Sequence, residues 1–137
     1  MSDSRQLLSM LNRTIQINRL WLRSAIRQAT GPDFTSVLRC FLQELEWIET
    51  EARHAAFQRG WEPELLSPVQ CALHSRHFRR SSSNASIAGQ LILLCTKARI
   101  QILGLSGQEL HNCFILSLLQ QLTDTYAVTV RQLERFL

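Results

Sequence analysis

Apolar residues recur every three or four positions through four long segments, which is the period of an α-helix. The segments span about 4–29, 33–59, 86–105 and 108–137. Apolar residues make up 45% of the chain, which excludes a disordered protein, and only five glycines and three prolines interrupt it. The sequence therefore predicts an all-α protein with one domain, 1–137, of a length that can bury a hydrophobic core.

The connections between these segments constrain the order in which the helices pack. Gly31 suits the end of the first helix and Pro32 the start of the second. The first two segments and the last two are each joined by a few residues, which predicts two antiparallel hairpins. The stretch 60–85 is long enough to run the length of a helix, and Ser67 suits the cap of a short helix over about 68–78. These lengths favour a ferritin-like four-helix bundle with a long crossover; a simple up-and-down bundle is the alternative.

The usual chemistry of a ferritin-like bundle is a dinuclear metal centre, which takes inward carboxylates from all four helices. Residues 4–29 and 84–105 contain no Asp or Glu. Glu51 and His54 have the E-x-x-H spacing of such centres, but a helical wheel turns His54 away from the core. The weak candidate ligands are Glu44, Glu51, His54 and Asp124. We therefore predict no metal, no cofactor and no enzymatic activity, and keep a metal-handling protein with a degenerate site, completed across a dimer, as an alternative.

A second arrangement of metal-binding residue types lies in the connection between the hairpins. Cys71, His74 and His77 follow one another at three-residue spacing and fall on one side of a helix if 68–78 is helical. Structural zinc normally takes four protein ligands, and the connection offers no fourth. A docked short helix with solvated histidines is the alternative that we favour.

The chain is basic, with net charge +4 and a pI near 9.3. Its densest basic patch surrounds one aromatic residue and consists of Arg76, Phe78, Arg79 and Arg80. An aromatic ring among arginines can stack on a base of single-stranded nucleic acid. Nucleic-acid binding through this patch is an alternative function, and a solvated basic loop is the simpler explanation.

Association with another protein is the function that the sequence indicates most strongly. The first and second helices each carry a second apolar stripe outside the expected core face. These stripes contain Met10, Ile17, Leu20, Trp21, Trp47 and Trp61. Leu93 and Ile100 likewise make the third helix apolar nearly all round, which is typical of a helix that is central or covered by a partner. We expect the 60–85 connection to cover one stripe and a homo-oligomer or a protein partner to cover another, with tryptophans as anchors.

The stretch 31–63, GPDFTSVLRCFLQELEWIETEARHAAFQRGWEP, resembles the first hairpin of bacterial ferritin-like bundles of the spore coat protein F type. A proline-containing turn, a long helix and a Gly-Trp-x-Pro end carry the resemblance. The matching residues are Pro32, Leu38, Arg39, Leu45, Gly60, Trp61 and Pro63. The stretch is also similar to an uncharacterised family of short bacterial bundles in which the long helix has a similar end. The resemblance implies a metal-free structural or coat-associated role.

The pattern of cysteines and the hydropathy of the chain indicate where in the cell the protein is expected to reside. The four cysteines form no C-x-x-C pair, which favours reduced thiols in a cytoplasmic protein. No signal-peptide pattern opens the chain. The most apolar stretch, 87–105, carries Lys97 and Arg99 near its middle, so we predict no membrane span.

Overall fold

A computed structural model describes residues 2–62, 65–106 and 113–137 of this protein. Within these ranges the chain is all-helical, without a β-strand, which confirms the predicted all-α class. The five helices are α1 Ser2–Gln28, α2 Pro32–Gln58, α3 Pro68–Arg76, α4 Asn84–Ser106 and α5 Cys113–Glu134.

The helices begin and end within a few residues of the predicted positions because the chain carries explicit boundary residues. Gly31 precedes α2 at φ 85° and Gly60 follows it at φ 71°, in the left-handed region that favours glycine. Pro32 occupies the first turn of α2. Ser67 caps α3 in a capping box with Gln70, as its type and position predict. Pro63 and the predicted start of the last helix at 108 lie outside the described residues.

The core lies where the apolar faces of α1, α2, α4 and α5 meet. α1 packs on α2, α2 on α5, α5 on α4 and α4 on α1. The largest fully buried side chains are Tyr126, Phe34, Ile15, Leu22, Leu38, Leu45, Ile48, Ile87, Leu91, Ile115, Leu119 and Leu122. Contributions from all four long helices make this one hydrophobic core.

Contacts at one end of the molecule establish the directions of the helices. The Thr30 backbone N–H, just after α1, donates to the Asn84 Oδ1 at the start of α4 over 3.0 Å. The ring of Phe34, at the start of α2, lies 4.8 Å from the ring of Phe136, which follows α5. The starts of α2 and α4 therefore lie at the same end as the finishes of α1 and α5.

The segment between α2 and α4 lies along α1. The short helix α3 packs on α1 although none of its own side chains is buried. Glutamine side chains of α1 hold the segment at both ends: Gln16 Oε1 accepts from the Leu66 N–H and Gln28 Oε1 from the Ser81 N–H. Backbone groups of the segment thus contribute to its attachment, and the period of apolar residues does not reveal such contacts.

Candidate functional site

The weak metal-ligand candidates fall into two separate places. Glu44 and Asp124 line one groove of about 320 Å³ between α2 and α5, together with Cys40. His54 is exposed, as its place on the helix predicts, and its ring nitrogen lies 3.2 Å from the Gln58 amide. Glu51 does not line that groove. Across the described ranges, no three His, Cys, Asp or Glu side chains are grouped to hold a metal ion.

The candidate zinc ligands make structural contacts; they are Cys71, His74 and His77. The Cys71 Sγ donates weakly to the Leu66 carbonyl at 3.9 Å, and the rings of His74 and His77 are 6.2 Å apart. The His74 carbonyl accepts a hydrogen bond from the Trp21 indole N–H at 3.0 Å. The Trp21 hydrogen bond docks α3 on α1, as expected for a docked short helix. His77 is exposed, but His74 is half-buried, so the expectation of solvated histidines is wrong for His74.

The docked position of α3 makes His74 sensitive to pH. Burial, followed by the charge of Arg13 and by His77, lowers the pKa of the His74 imidazole below its ordinary value of 6.5. A depressed pKa means that the unfolded chain takes up the proton more readily than the folded one. The stability that depends on neutral His74 is therefore complete above pH 6.5 and is lost as the pH falls through the depressed value.

We predict that His74→Gln flattens the acid side of the stability profile. The measurement is the thermal unfolding midpoint between about pH 7.5 and pH 5.5, compared with the parent protein. His54→Gln is the matched control, because His54 is exposed. Equal acid sensitivity in the parent and in His74→Gln would contradict the prediction.

The basic patch differs from its sequence-based expectation at the aromatic residue. Phe78 is buried, and its ring meets that of Trp21 edge to face at 5.5 Å between centroids. Arg76, Arg79 and Arg80 are exposed. The expectation that Phe78 stacks on a base is therefore wrong, because the Trp21 indole of α1 packs against its ring. Of the four residues of the patch, the three arginines face solvent.

The α3 segment covers Trp21 in the apolar stripe of α1, as the sequence predicts for one of the two stripes. Trp21 packs against the core and on Phe78, and Ile17 and Leu20 are half-buried. Met10, nearer the start of α1, remains exposed. Trp21 was expected to be an exposed anchor for a partner. This expectation is wrong, because the linker of the same chain covers the indole ring.

The two tryptophans of the α2 stripe have different surroundings. Trp61 packs against the core, and the Arg59 guanidinium carbon lies 5.6 Å from its ring centroid. Trp47 stands on the outer face of α2 with 59% of its surface exposed. The expectation of an open anchor is thus corrected for Trp61, while Trp47 is accessible to a partner.

The outer side of α4 carries a second exposed apolar surface. Leu93 is 56% exposed and Ile100 is 65% exposed, whereas Leu91 and Cys95 on the other side are buried. Ile100 also lines a groove of about 300 Å³ between α4 and α5. The all-round apolar character of this helix in the sequence was the signal for this surface.

Glu49 carries a buried carboxylate that no sequence pattern singles out. Glu49 is only 3% exposed, and its Oε2 accepts from the Arg19 guanidinium at 2.7 Å. Arg53, one helical turn later, lies 2.5 Å from Oε1. Arg19 also approaches Glu46 at 3.8 Å, so one arginine of α1 contacts two glutamates of α2. The role of these charges is to join α1 to α2.

A second buried polar cluster joins three helices. The Asn18 amide of α1 donates to the Tyr126 hydroxyl of α5, and the Phe41 ring of α2 lies 6.0 Å from the tyrosine ring. Burial, with the nearby Cys95, raises the pKa of Tyr126, and burial raises the pKa of the Cys95 thiol to about 12. Both groups therefore stay protonated at neutral pH and act as neutral core groups.

One segment within the described residues, Asn84–Gly104 of α4, is long and apolar enough to cross a membrane. One third of its most apolar window is buried within the protein. Lys97 and Arg99 are exposed on this helix. Membrane-spanning helices and buried helices of other proteins both have this length and composition.

Comparisons with protein-family models, with curated proteins and with solved structures find no match to this chain.

Proposed function

We infer that this chain is a non-enzymatic interaction protein that works by associating with further copies of itself. The observation that carries this proposal is the exposure of large apolar side chains on two helices, Trp47 on α2 with Leu93 and Ile100 on α4. Large apolar side chains grouped on a surface are a mark of protein interaction sites, and tryptophan is enriched among the residues that dominate binding.

The physical gain from covering α4 supports the proposal. Fully burying a leucine or isoleucine side chain stabilises a complex by about 1.5–3 kcal/mol. Leu93 and Ile100 lie seven residues apart, so both fall on one stripe of the helix. A partner that covers both side chains in one contact gains their combined burial.

We also propose that the four long helices form a ferritin-like bundle. A ferritin-like four-helix bundle is supported by the common end at which α2 and α4 begin, which requires a connection that returns along the molecule. The segment containing α3 lies along α1 and can serve as that crossover. With the resemblance over 31–63, this arrangement suits a coat-like or scaffold subunit built from repeated copies.

Light scattering during size-exclusion chromatography tests the proposed self-association. The mass is expected to exceed the single-chain value of 15.8 kDa and to rise with protein concentration. Leu93→Ser/Ile100→Ser should shift the mass towards 15.8 kDa, because the change removes apolar surface without altering charge.

Val69→Ser is the matched control, since Val69 is 69% exposed on α3, away from both surfaces. A mass of 15.8 kDa at every concentration would overturn the proposed function.

A further inference from the structure

We propose that copies of this protein join through two different surfaces, with the Trp47 face of one copy seated in the α4–α5 groove of a second copy. This inference rests on the proposed self-association and adds which surfaces meet. The Trp47 face consists of Glu44, Trp47 and Glu51 on α2. The α4–α5 groove is lined by Thr96, Arg99, Ile100, Ala127, Val130 and Arg131.

The Trp47 face presents a large apolar group between two acids. Glu44 precedes Trp47 by three residues and Glu51 follows it by four, so both lie beside the indole on the helix surface. Neither carboxylate forms an ion pair with any other described residue. Asp124 of α5 shares a groove with Glu44 and adds acidity on the same side. Within the described residues, this face therefore presents acidic groups without an ion-pair partner.

The α4–α5 groove has the opposite charge around an apolar floor. Arg99 and Arg131 are the charged residues of its lining, and no acid is among them. Both arginines are exposed and form no ion pair within the described parts of the chain. The groove measures about 300 Å³, with Ile100 and Val130 contributing apolar surface for an aromatic ring. An acidic surface with a projecting aromatic residue is therefore the chemistry that this groove fits.

General helix dimensions give the charges on the two surfaces separations of the same order. Glu44 and Glu51 are seven residues apart, which is roughly 10 Å along a helix at 1.5 Å per residue. Arg99 and Arg131 stand on neighbouring packed helices, whose axes lie roughly 8–10 Å apart. Both acids can thus reach an arginine while the indole enters the groove between them. Two copies meeting through their grooves alone would instead oppose arginine to arginine, which disfavours that pairing.

Charge exchange between the surfaces tests this pairing. Glu44→Arg/Glu51→Arg should reduce the mass of the association to 15.8 kDa, because a basic face then meets a basic groove. Arg99→Glu/Arg131→Glu should do the same, because an acidic face then meets an acidic groove. An equimolar mixture of the two variants should regain the mass of the parent, since each contact again joins opposite charges.

The outcomes separate this inference from the proposed function. Arg23→Glu/Arg135→Glu is the matched control, because it reverses two exposed arginines outside the groove and should keep the parent mass. If the parent associates and neither reversal alters its mass, the pairing is overturned and self-association stands. If both reversals dissociate the protein but their mixture does not recover, the pairing is also overturned. A monomeric parent that binds phosphatidylserine-containing vesicles would overturn both and assign the basic apolar groove to a membrane surface.

Discussion

Tyr126→Ala is expected to lower the free energy of unfolding by about 4 kcal/mol, within the range for removing a large buried aromatic side chain. Tyr126 is completely buried and contacts two other helices: its hydroxyl accepts from Asn18 of α1 and its ring meets Phe41 of α2. Its loss leaves a cavity at the junction of three helices. Urea unfolding followed by circular dichroism measures the change as a shift in midpoint at unchanged slope.

Two further variants separate the cavity from the hydrogen bond. Tyr126→Phe keeps the ring and leaves the Asn18 amide without its acceptor, so we expect a loss of about 1–3 kcal/mol. Asn18→Leu/Tyr126→Phe removes both polar groups and should recover part of that loss. A loss below about 1 kcal/mol in Tyr126→Ala would contradict the packing role, since large aromatic truncations in cores cost more.

Arg19→Ala is expected to lower the free energy of unfolding by about 3 kcal/mol, at the lower end of the range for breaking a buried ion pair. The variant deprives the buried Glu49 carboxylate of its partner on α1. Arg53 still pairs with that carboxylate, and Arg19 itself is partly open to water, which keeps the loss below the top of the range. Urea unfolding again supplies the measurement.

The comparison with Glu46 is the matched control for this pair. Glu46→Ala breaks a longer contact, 3.8 Å, with the same arginine at an exposed site, and should cost less than about 1 kcal/mol. Arg19→Ala/Glu49→Leu removes both members of the buried pair and should be more stable than Arg19→Ala alone. Equal losses for Arg19→Ala and Glu46→Ala would show that burial of Glu49 adds nothing.

The helix boundaries were predictable because each depends on residues close in sequence. Pro32 and Ser67 act through a backbone preference or a neighbour three residues away, and both occupy the predicted places. Gly31 was predicted to end the first helix and is instead the N-cap residue of α2. Leu38, Phe41 and Leu45 are buried on one face of α2, as the three- and four-residue spacing of apolar residues in this segment predicts. Local rules therefore account for the helices.

The surfaces were predictable only in part because coverage by another segment has no local signature. Trp21 and Trp47 looked alike as outward tryptophans, yet Trp21 meets Phe78 and the His74 carbonyl, whereas Trp47 meets solvent. The short helix α3 buries none of its own side chains and attaches through backbone groups, so its sequence carried no docking pattern. Phe78 was predicted to lie in an exposed basic patch for the same reason, because its contact with Trp21 has no local signature.

The sequence by itself determined that this chain forms long helices, where they begin and end, which faces enter the core, and that α4 is apolar on more than one side. Those properties follow from the helical period and from short-range boundary residues. The tertiary structure alone decided which apolar stripe the linker covers, that Glu49 is buried between Arg19 and Arg53, and that Arg99 and Arg131 border one groove. Each of these depends on residues far apart in the chain, whose proximity is a consequence of helix packing.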